Sequence, residues 1–533
     1  MAVLVGELIG DTAKRRPQAA ALKHKGVGAT YDLLWARVIS AAHALVGFGL
    51  ARSERVAIYL EKRHETVIAM FGAAAAGLTF VPVSPLLRAH QVAHILNDCN
   101  VRVLVTSAAR LDALRETIGR CGDLRFIVLV DEAGADEPIP RASILRWNDS
   151  LGATSTARNT LHRVIETDMA AIFYTSGSTG LPKGVVLSHR NLVSGAQSVA
   201  QYLENTPDDR ILSLLPLNFD AGFSQLTTAF LVGAEVVMLD FIFARDAVQL
   251  AATERVTGIA GVPPLWNQLA DVDWPAEASR SVRYFTNTGD RMPRRTLNLL
   301  RAKMPAAKPY LMYGLTESFR STYLPPSEVD RRPDSIGKAV PNAEILVVKD
   351  DGTLAGPGES GELVHRGPFV SLGYWNDPER TAERFKPAPG RPVELVMREM
   401  AVWSGDTVRL DEEGFLYFIG RRDGMIKTSG YRVSPTEVEN VIYASGFVKE
   451  AVAVGVPHPT LGQGVVVVAS PPSGAALDAA AVTEACRRSL PPYMVPHCIV
   501  ERSDIARNAN GKIDRKQLAD ELAGLFDTVA ANP

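Results

Sequence analysis

Short apolar runs alternate with helix-like segments along much of the chain. "DLLWARVISAAHALVGFGL" (32–50) places apolar residues at helical spacing, and Asp32 is the expected N-cap. "RVAIYL" (55–60), "VRVLVT" (101–106) and "RFIVLVD" (125–131) are β-branched runs typical of buried strands. This alternation predicts an α/β fold with largely parallel sheets, in which binding loops follow the ends of strands.

The pattern changes towards the C-terminus. There, Ser434 precedes a helix-like segment as the expected N-cap, and Glu437 is its expected capping-box partner. Two apolar strands and a final amphipathic segment follow, which together predict a small α+β domain. We therefore expect a large N-terminal domain over residues 1–422 and a small C-terminal domain over residues 423–533.

The run "TVIAMFGAAAAGLTFVPV" (66–83) is the most membrane-like part of the chain. It is short, rich in Ala and Gly, and interrupted by Pro82, so it predicts a buried helix that leads into a strand. No signal peptide is recognisable at the N-terminus. We therefore expect no integral membrane segment.

Composition and charge narrow the class of protein. The chain has 533 residues, of which 46% are hydrophobic and 22% charged, and its net charge is −2. A soluble globular protein of more than one domain is predicted, and the lack of a basic surplus argues against a nucleic-acid partner. The four cysteines lie far apart without metal-binding or redox spacing, which indicates a reduced, cytoplasmic protein.

A loop rich in Gly, Ser and Thr, "YTSGSTGLPKGVVLSH" (174–189), is the first candidate for chemistry. Its backbone N–H groups, its hydroxyls and Lys183 could bind phosphate, although an exposed hairpin loop is the alternative for such a stretch taken alone. A Walker A loop is excluded by Pro182 before the lysine and by the strand-like run after it, where a helix is required. The spacing argues against a P-loop ATPase or kinase.

The same stretch resembles the signature of the AMP-forming adenylate superfamily, which includes acyl-CoA synthetases, standalone adenylating enzymes and luciferases. Further motifs occur in the family's order, so the resemblance covers essentially the whole chain: "GAAAAGLTFVPVSP" (72–85), "YGLTES" (313–318), "GELVHRGPFVSLGYWNDPERT" (361–381), "SGDTVRLDEEGFLYFIGRRDGMIK" (404–427) and "NGKIDRKQL" (510–518). Residues 313–345, together with "FDAGFSQL", resemble acyl ligases associated with exosortase-A gene clusters. The resemblance implies an adenylate-forming enzyme fold with a mobile C-terminal domain.

The resemblance implies a site for ATP as co-substrate. In it, the loop 175–180 holds the leaving phosphates, Tyr313 stacks on adenine, and Asp406 and Arg421 contact the ribose. Thr288 stands where many family members carry glycine. The full implied ATP site comprises Thr175, Ser176, Gly177, Ser178, Thr179, Gly180, Lys183, Thr288, Gly289, Asp290, Tyr313, Gly314, Asp406 and Arg421.

Three residues match the family's catalytic positions. Lys512 matches the lysine that bridges the carboxylate and the α-phosphate, Thr316 matches a phosphate contact, and Glu317 matches the Mg²⁺ ligand. Taken alone, Lys512 fits an exposed turn lysine after Asn510 and Gly511. Glu317 alone fits an acid at a helix N-terminus.

Two further residues match positions that serve the second half-reaction. Asp423 matches the hinge about which the small domain rotates, and Arg432 matches an arginine of the thioester-forming state. The implied activity is that of an acyl-CoA synthetase, which joins a small carboxylic acid to CoA. The alternatives are a standalone enzyme that adenylates an amino acid or acyl group and loads a separate carrier protein, and a silent relative, against which the intact catalytic residues argue.

The resemblance places the acyl pocket at Phe219, Asp220, Gly261, Trp266 and Gly314, where Trp266 is expected to limit its depth. Asp220 has two interpretations. In amino-acid adenylating enzymes a similar "FD" pairs with the substrate amino group, whereas the residue type alone also suits the N-cap of the following helix. The two interpretations stay open at this point, as does the substrate.

Overall fold

The computed structural model describes residues 2–134, 137–152, 159–175, 182–392, 394–421, 424–471, 476–503, 505 and 513–527. The helices within these ranges are α1 (Glu7–Arg15), α2 (Tyr31–Gly47), α3 (His64–Ala75), α4 (Ala89–Asp98), α5 (Ala108–Ile118), α6 (His189–Tyr202), α7 (Asp220–Val232), α8 (Ala244–Thr253), α9 (Pro263–Ala270), α10 (Ala276–Ser281), α11 (Arg294–Lys303), α12 (Pro378–Arg384), α13 (Pro435–Ser445), α14 (Ala479–Ser489) and α15 (Arg515–Glu521). Short 3₁₀ turns cover Thr316–Ser318, Pro326–Glu328 and Pro492–Met494.

The strands within the described ranges are β1 (Ala20–His24), β2 (Val27–Thr30), β3 (Arg55–Tyr59), β4 (Thr79–Pro82), β5 (Val101–Thr106), β6 (Phe126–Leu129), β7 (Ser143–Arg146), β8 (Met169–Thr175), β9 (Lys183–Ser188), β10 (Arg210–Ser213), β11 (Glu235–Met238), β12 (Gly258–Gly261), β13 (Tyr284–Asn287), β14 (Lys308–Tyr313), β15 (Thr322–Leu324), β16 (Ser335–Ala339), β17 (Glu344–Val348), β18 (Ser360–Arg366), β19 (Phe385–Pro387), β20 (Met400–Leu410), β21 (Leu416–Arg421), β22 (Ile426–Thr428), β23 (Tyr431–Val433), β24 (Glu450–His458), β25 (Gly462–Ser470) and β26 (Cys498–Glu501).

One sheet of the N-terminal part is almost entirely parallel. Its strand order is β7-β6-β5-β3-β4-β8-β9, and only the β8–β9 pair is antiparallel. Such strands are buried on both faces, which explains why they read as continuous apolar runs. The predicted α/β architecture is confirmed here, as is the helix-to-strand passage of residues 66–83, which forms most of α3 and then β4.

The longer sheet combines a parallel half and an antiparallel half. Strands β1, β11, β10, β12, β13 and β14 pair in parallel, whereas β14 through β15, β16, β21, β20, β18 and β17 pair antiparallel. The extent of this antiparallel half was not predicted. Several of its strands, such as β20, carry polar and charged residues between apolar ones, so they lack the uninterrupted apolar runs that mark the parallel strands.

The C-terminal part forms the predicted α+β unit. Strands β23, β22, β25 and β24 are antiparallel neighbours, β26 adds a parallel strand, and α13 to α15 pack against them. Ser434 is the N-cap of α13, as predicted, and its Oγ accepts from the Glu437 backbone N–H at 3.3 Å. The Glu437 side chain instead accepts a hydrogen bond from Gln91 Nε2 of α4 at 2.9 Å. The domain boundary after residue 422 stays a prediction, because residues 422 and 423 lie outside the described ranges.

The start of α2 differs from the prediction by two residues. Thr30 is the N-cap and Asp32 lies in the first turn, where its carboxylate accepts hydrogen bonds from the Leu33 N–H and the Thr30 hydroxyl. An acidic side chain in a first turn is stabilised by the helix dipole, so the residue type suits either place. Among the described helices, none combines the length and apolar character needed to cross a membrane.

We expect the substitution Gly222→Ala to destabilise the N-terminal domain. Gly222 lies in the first turn of α7, and a Cβ there would lie 1.9 Å from the Pro216 carbonyl oxygen. Because backbone must shift, the free energy of unfolding should fall by about 1–3 kcal/mol, measured as a lower thermal midpoint. The control is Gly119→Ala, at a C-cap with φ −62° and open space around it. An equal midpoint for both variants would contradict this prediction.

Candidate active site

The β8–β9 hairpin carries the two described ends of the predicted phosphate loop. Thr175 is the last residue of β8, Lys183 is the first of β9, and the two pair directly across the hairpin. The residues between them that were predicted to contact phosphate lie outside the described residues, so their role stays a prediction: Ser176, Gly177, Ser178, Thr179 and Gly180.

Lys183, Glu317 and Tyr374 form a buried polar cluster beside this hairpin. Lys183 Nζ donates to Glu317 Oε1 at 3.1 Å and to Tyr374 Oη at 2.5 Å. The Tyr374 hydroxyl donates in turn to the same carboxylate oxygen at 2.6 Å. The structure thus joins Lys183, the predicted phosphate ligand, to Glu317, the predicted metal ligand, both directly and through Tyr374. No role was assigned to Tyr374 from the sequence.

The electrostatics of this cluster keep Glu317 ionised. Burial alone would raise the pKa of this carboxyl, but the positive charges of Lys183 and Arg432 and the Tyr374 hydrogen bond outweigh it and hold the pKa well below its usual value. Burial also lowers the pKa of Lys183 to about 8, although Glu317 counteracts part of that shift. Glu317 Oε2 is buried and has no hydrogen-bond partner among the described residues, as a carboxylate oxygen that awaits a cation would.

The donor chemistry of Glu317 suits Mg²⁺. Mg²⁺ prefers hard oxygen ligands and takes one or two protein carboxylates together with water and phosphate oxygens. No group of three or more His, Cys, Asp or Glu side chains with metal-site geometry occurs among the described residues. A single carboxylate with one unpaired oxygen therefore fits a Mg²⁺ that arrives with a nucleotide, and does not fit an all-protein metal cage.

Tyr313 and Asp406 meet in a buried contact next to the cluster. The Tyr313 hydroxyl donates to Asp406 Oδ2 at 2.5 Å, and Asp406 is fully buried. Tyr313 ends the parallel strand β14, whereas Asp406 comes from β20 of the antiparallel half, opposite Arg421 in β21. The two halves of the long sheet thereby bring together residues that the resemblance assigns to adenine and ribose.

The turn after β13 completes this face of the site. Thr288 and Gly289 line the same cavity as Tyr313, Gly314 and Thr316. Gly289 has φ +84°, a backbone conformation that favours glycine.

Asp290 lies at the next position of that turn and contributes to a neighbouring cavity, which shares Gly289, Tyr313 and Gly314. Asn287 Nδ2 donates to the Asp290 carbonyl oxygen at 2.7 Å, which holds the turn against the end of its strand. The predicted nucleotide residues on strand ends therefore lie around two adjoining cavities.

A hairpin of the C-terminal domain, β22–β23, lines the same cavity. Ser429 and Gly430 form its turn with φ values of +52° and +80°. The Tyr431 ring stacks on Tyr493 at 3.8 Å between centroids and meets Phe219 of the N-terminal domain edge-on at 5.1 Å. This hairpin is therefore part of the wall between the two domains.

Arg432 follows in the same hairpin. It lines the cavity, and its charge acts on Glu317 and Lys183. The other two residues predicted in this part of the chain, Asp423 and Lys512, lie outside the described residues.

The acyl pocket is only partly where the resemblance implies. Phe219, Asp220 and Gly314 line the cavity. Trp266 does not: it is fully buried in the core against Phe285, and its Nε1 donates to the Thr286 carbonyl at 3.1 Å.

Gly261 explains why Trp266 turns away from the cavity. A Cβ at Gly261 would lie 2.7 Å from the indole, so the glycine of β12 leaves the space that the ring fills. Neither residue lines a described cavity, and the expectation that Trp266 limits pocket depth is wrong for this structure.

Asp220 is not the N-cap of α7. The helix begins at Asp220 with Phe219 in the N-cap position, and Asp220 Oδ1 accepts from the Ala221 N–H at 2.7 Å. Its other oxygen faces Arg320 Nη1 at 3.4 Å. Arg320 is 4% exposed and lines the cavity, yet sequence reasoning missed it, although its charge within the "YGLTESFR" stretch was a signal.

Comparisons with known proteins identify the family. The model of the AMP-binding enzyme family matches residues 9–375, and that of the AMP-binding enzyme C-terminal domain matches residues 437–512. A long-chain-fatty-acid–CoA ligase from Salmonella typhimurium is 29% identical over 98% of this chain and 95% of its own length. Tyrocidine synthase 3 from Brevibacillus parabrevis is 30% identical over 96% of this chain, which spans only 8% of that protein.

Two solved structures extend the likeness to three dimensions. The o-succinylbenzoate CoA synthetase of Bacillus subtilis, bound with a product analogue, is 25% identical, with a TM-score of 0.81 and coverage of 96% of this chain and 98% of that one. ATP-bound MatB from Rhodopseudomonas palustris is also 25% identical, with a TM-score of 0.68 and coverage of 99% and 100%. The family model spans well over half of the chain and its C-terminal companion follows in order, so this chain belongs to the AMP-binding enzyme family.

Proposed function

We propose that this chain is an ATP-dependent, AMP-forming acid–thiol ligase of the acyl-CoA synthetase type. The observation that carries the proposal is the buried Lys183–Tyr374–Glu317 cluster, on which the charge of Arg432 acts. Pro182 and Thr316, the chain neighbours of Lys183 and Glu317, line the cavity that Tyr313 and Arg432 also line. Phosphate-binding, metal-binding and thiol-state residues then surround one reaction centre. The full-length similarity to a fatty acid–CoA ligase supports the same activity.

In the first half-reaction a carboxylate oxygen of the substrate attacks the α-phosphorus of ATP. The bond from this phosphorus to the bridging oxygen breaks, and pyrophosphate leaves. Lys183 and the hydroxyl loop hold the departing phosphates, Tyr313 and Asp406 position the nucleoside, and Lys512 bridges the reacting groups, so catalysis rests on positioning and charge neutralisation. Glu317 would hold Mg²⁺, which neutralises phosphate charge when bound.

In the second half-reaction a thiolate attacks the acyl carbon of the adenylate, the acyl–oxygen bond breaks, and AMP leaves. The β22–β23 hairpin lines the cavity, and the charge of Arg432 acts on Glu317 and Lys183. This arrangement supports a thioester-forming state, from which rotation about Asp423 would exchange the hairpin for Lys512.

The acceptor and the cell compartment are part of the proposal. CoA is the proposed acceptor, and the phosphopantetheine of a separate carrier protein is the alternative. The similarity to tyrocidine synthase 3 favours that alternative. The four cysteines are free in the structure, which suits a cytoplasmic enzyme.

ATP with a cognate acid should yield AMP and pyrophosphate. The reason is that the proposed attack falls on the α-phosphorus. Nucleotide products separated by chromatography, with and without the acid, test this directly. Acid-dependent release of ADP and phosphate would show a kinase or ATPase instead.

Lys512→Ala and Arg432→Ala should separate the half-reactions. Lys512→Ala should slow adenylate formation about 100-fold or more, because a cation on the reacting phosphate is lost. It should spare thioester formation from supplied acyl-adenylate, whereas Arg432→Ala should mainly slow that second step. Single-turnover assays of each step measure the split, and a parallel loss of both steps in either variant would contradict the two-state proposal.

Above about pH 8 the kcat/KM for ATP should fall. Burial lowers the pKa of Lys183 to about 8, so the free enzyme loses this phosphate-binding charge as the pH rises through that value. Lys183→Arg should keep activity to higher pH, because guanidinium stays protonated. The measurement is the pH profile of both proteins, and the same alkaline decline in Lys183→Arg would assign it to another group.

A further inference from the structure

Asp220 and Arg320 form a charged pair inside the proposed acyl cavity. Their side chains are 13% and 4% exposed, and both line the cavity. Arg320 Nη1 lies 3.4 Å from Asp220 Oδ2, at the long limit of a hydrogen bond, and donates more firmly to the Phe319 carbonyl at 2.7 Å. The two charged groups are therefore near each other but are joined by only a long hydrogen bond.

The pair leaves hydrogen-bonding capacity unused. Arg320 Nε is buried and has no hydrogen-bond partner among the described residues. The Tyr202 hydroxyl donates to Met312 Sδ at 2.8 Å, and its oxygen also interacts with Arg320, so the unused capacity of this guanidinium is at Nε. A buried guanidinium with an unpaired N–H is costly, so an acceptor that reaches it would be stabilised.

Asp220 likewise lacks strong stabilisation. Burial raises the pKa of its carboxyl, an effect that the Arg320 charge and the Ala221 N–H only partly oppose and to which the negative Glu317 adds. The influence of Glu317 also indicates that the pair lies towards the catalytic end of the cavity. A substrate group that meets the pair is then close to the carboxylate that reacts.

The opposite charges of Asp220 and Arg320 disfavour most substituents that an acid substrate could place beside them. An ammonium group that pairs with Asp220 would face Arg320, and a carboxylate that pairs with Arg320 would face Asp220. An alkyl group would leave the unpaired Arg320 Nε–H and the weakly paired Asp220 Oδ2 away from water with no further partner. A neutral group that accepts from Arg320 and donates to Asp220 satisfies both, and a hydroxyl is the smallest such group.

We infer that the preferred substrate is a hydroxy acid, with its hydroxyl on C2 or C3, and that Asp220 and Arg320 together select it. This inference rests on the proposed acid-activating function and specifies its substrate class. It replaces the amino-acid interpretation of Asp220, because the partner charge for this carboxylate is already present in the protein.

The test is acid-dependent pyrophosphate exchange with matched acids. One panel varies the substituent on C3: butanoate, 3-hydroxypropanoate, β-alanine and succinate. The other varies the substituent on C2: isobutanoate, lactate, alanine and methylmalonate. Both panels are repeated with the same substituents on eight-carbon acids. We expect kcat/KM about 10- to 100-fold higher for the hydroxy acid than for its alkyl and charged analogues in at least one panel. An alkyl or charged acid that equals the hydroxy acid in every panel overturns the inference while leaving the proposed function intact. If none of the acids supports pyrophosphate exchange, both the inference and the proposed function are overturned.

Variants test whether the pair itself makes the selection. Arg320→Met should shift the preference towards the ammonium analogue, Asp220→Asn towards the carboxylate analogue, and the double variant Asp220→Leu with Arg320→Met towards the alkyl analogue. The control is Arg283→Met, which breaks the Arg283–Asp209 pair. Neither of these residues lines this cavity, so the order of preference among the four substituents should stay unchanged. If the Asp220 and Arg320 variants lower activity with all four substituents in parallel, the pair is structural and the inference is wrong.

Discussion

Keeping the buried Glu317 carboxylate ionised is the constraint on which the rest of the site depends. Only 4% of this residue is exposed, and a charge so far from water is strongly unfavourable without partners. Its partners are the ammonium of Lys183, the hydroxyl of Tyr374 and the charge of Arg432. They come from β9, from the loop after β18 and from the C-terminal domain, so stabilising one carboxylate requires three distant segments to converge.

The sheet topology explains how these segments reach one place. Parallel strands of the long sheet deliver their C-terminal ends to the same edge, which is where Thr288 and Tyr313 lie, and Thr175 ends β8 of the other sheet. The antiparallel half then turns back along the same sheet and brings Asp406 onto the Tyr313 hydroxyl. The parallel half thus positions the loops, and the antiparallel half supplies a buried acid from strand β20.

Hydrophobic patterning predicted the buried parallel strands, and the local capping signature predicted the N-cap at Ser434, because both features depend on residues close together in the sequence. It could not predict which way Trp266 faces, since an aromatic in an apolar stretch fits a pocket wall and a core equally well until Gly261 opens a space in the core. The pairing of Asp220 with Arg320 joins residues a hundred positions apart, which no local pattern encodes. The motif resemblance identified Asp220, but it did not identify Arg320, whose positive charge pairs with Asp220 and changes which substrate group that carboxylate can bind.

The contacts between the domains are compatible with the proposed rotation of the C-terminal domain. Arg88 donates to the carbonyls of Arg487 and Leu490, so these bonds can be exchanged for water when the domains part. At the buried end, Gln91 meets Glu437, and burial raises the pKa of that carboxyl to about 7. Near neutral pH part of the Glu437 population is therefore protonated, which lowers the cost of burying this carboxyl beside Gln91. An interface of this kind is compatible with the proposed rotation, which would move the Arg432 hairpin out of the site between the two half-reactions.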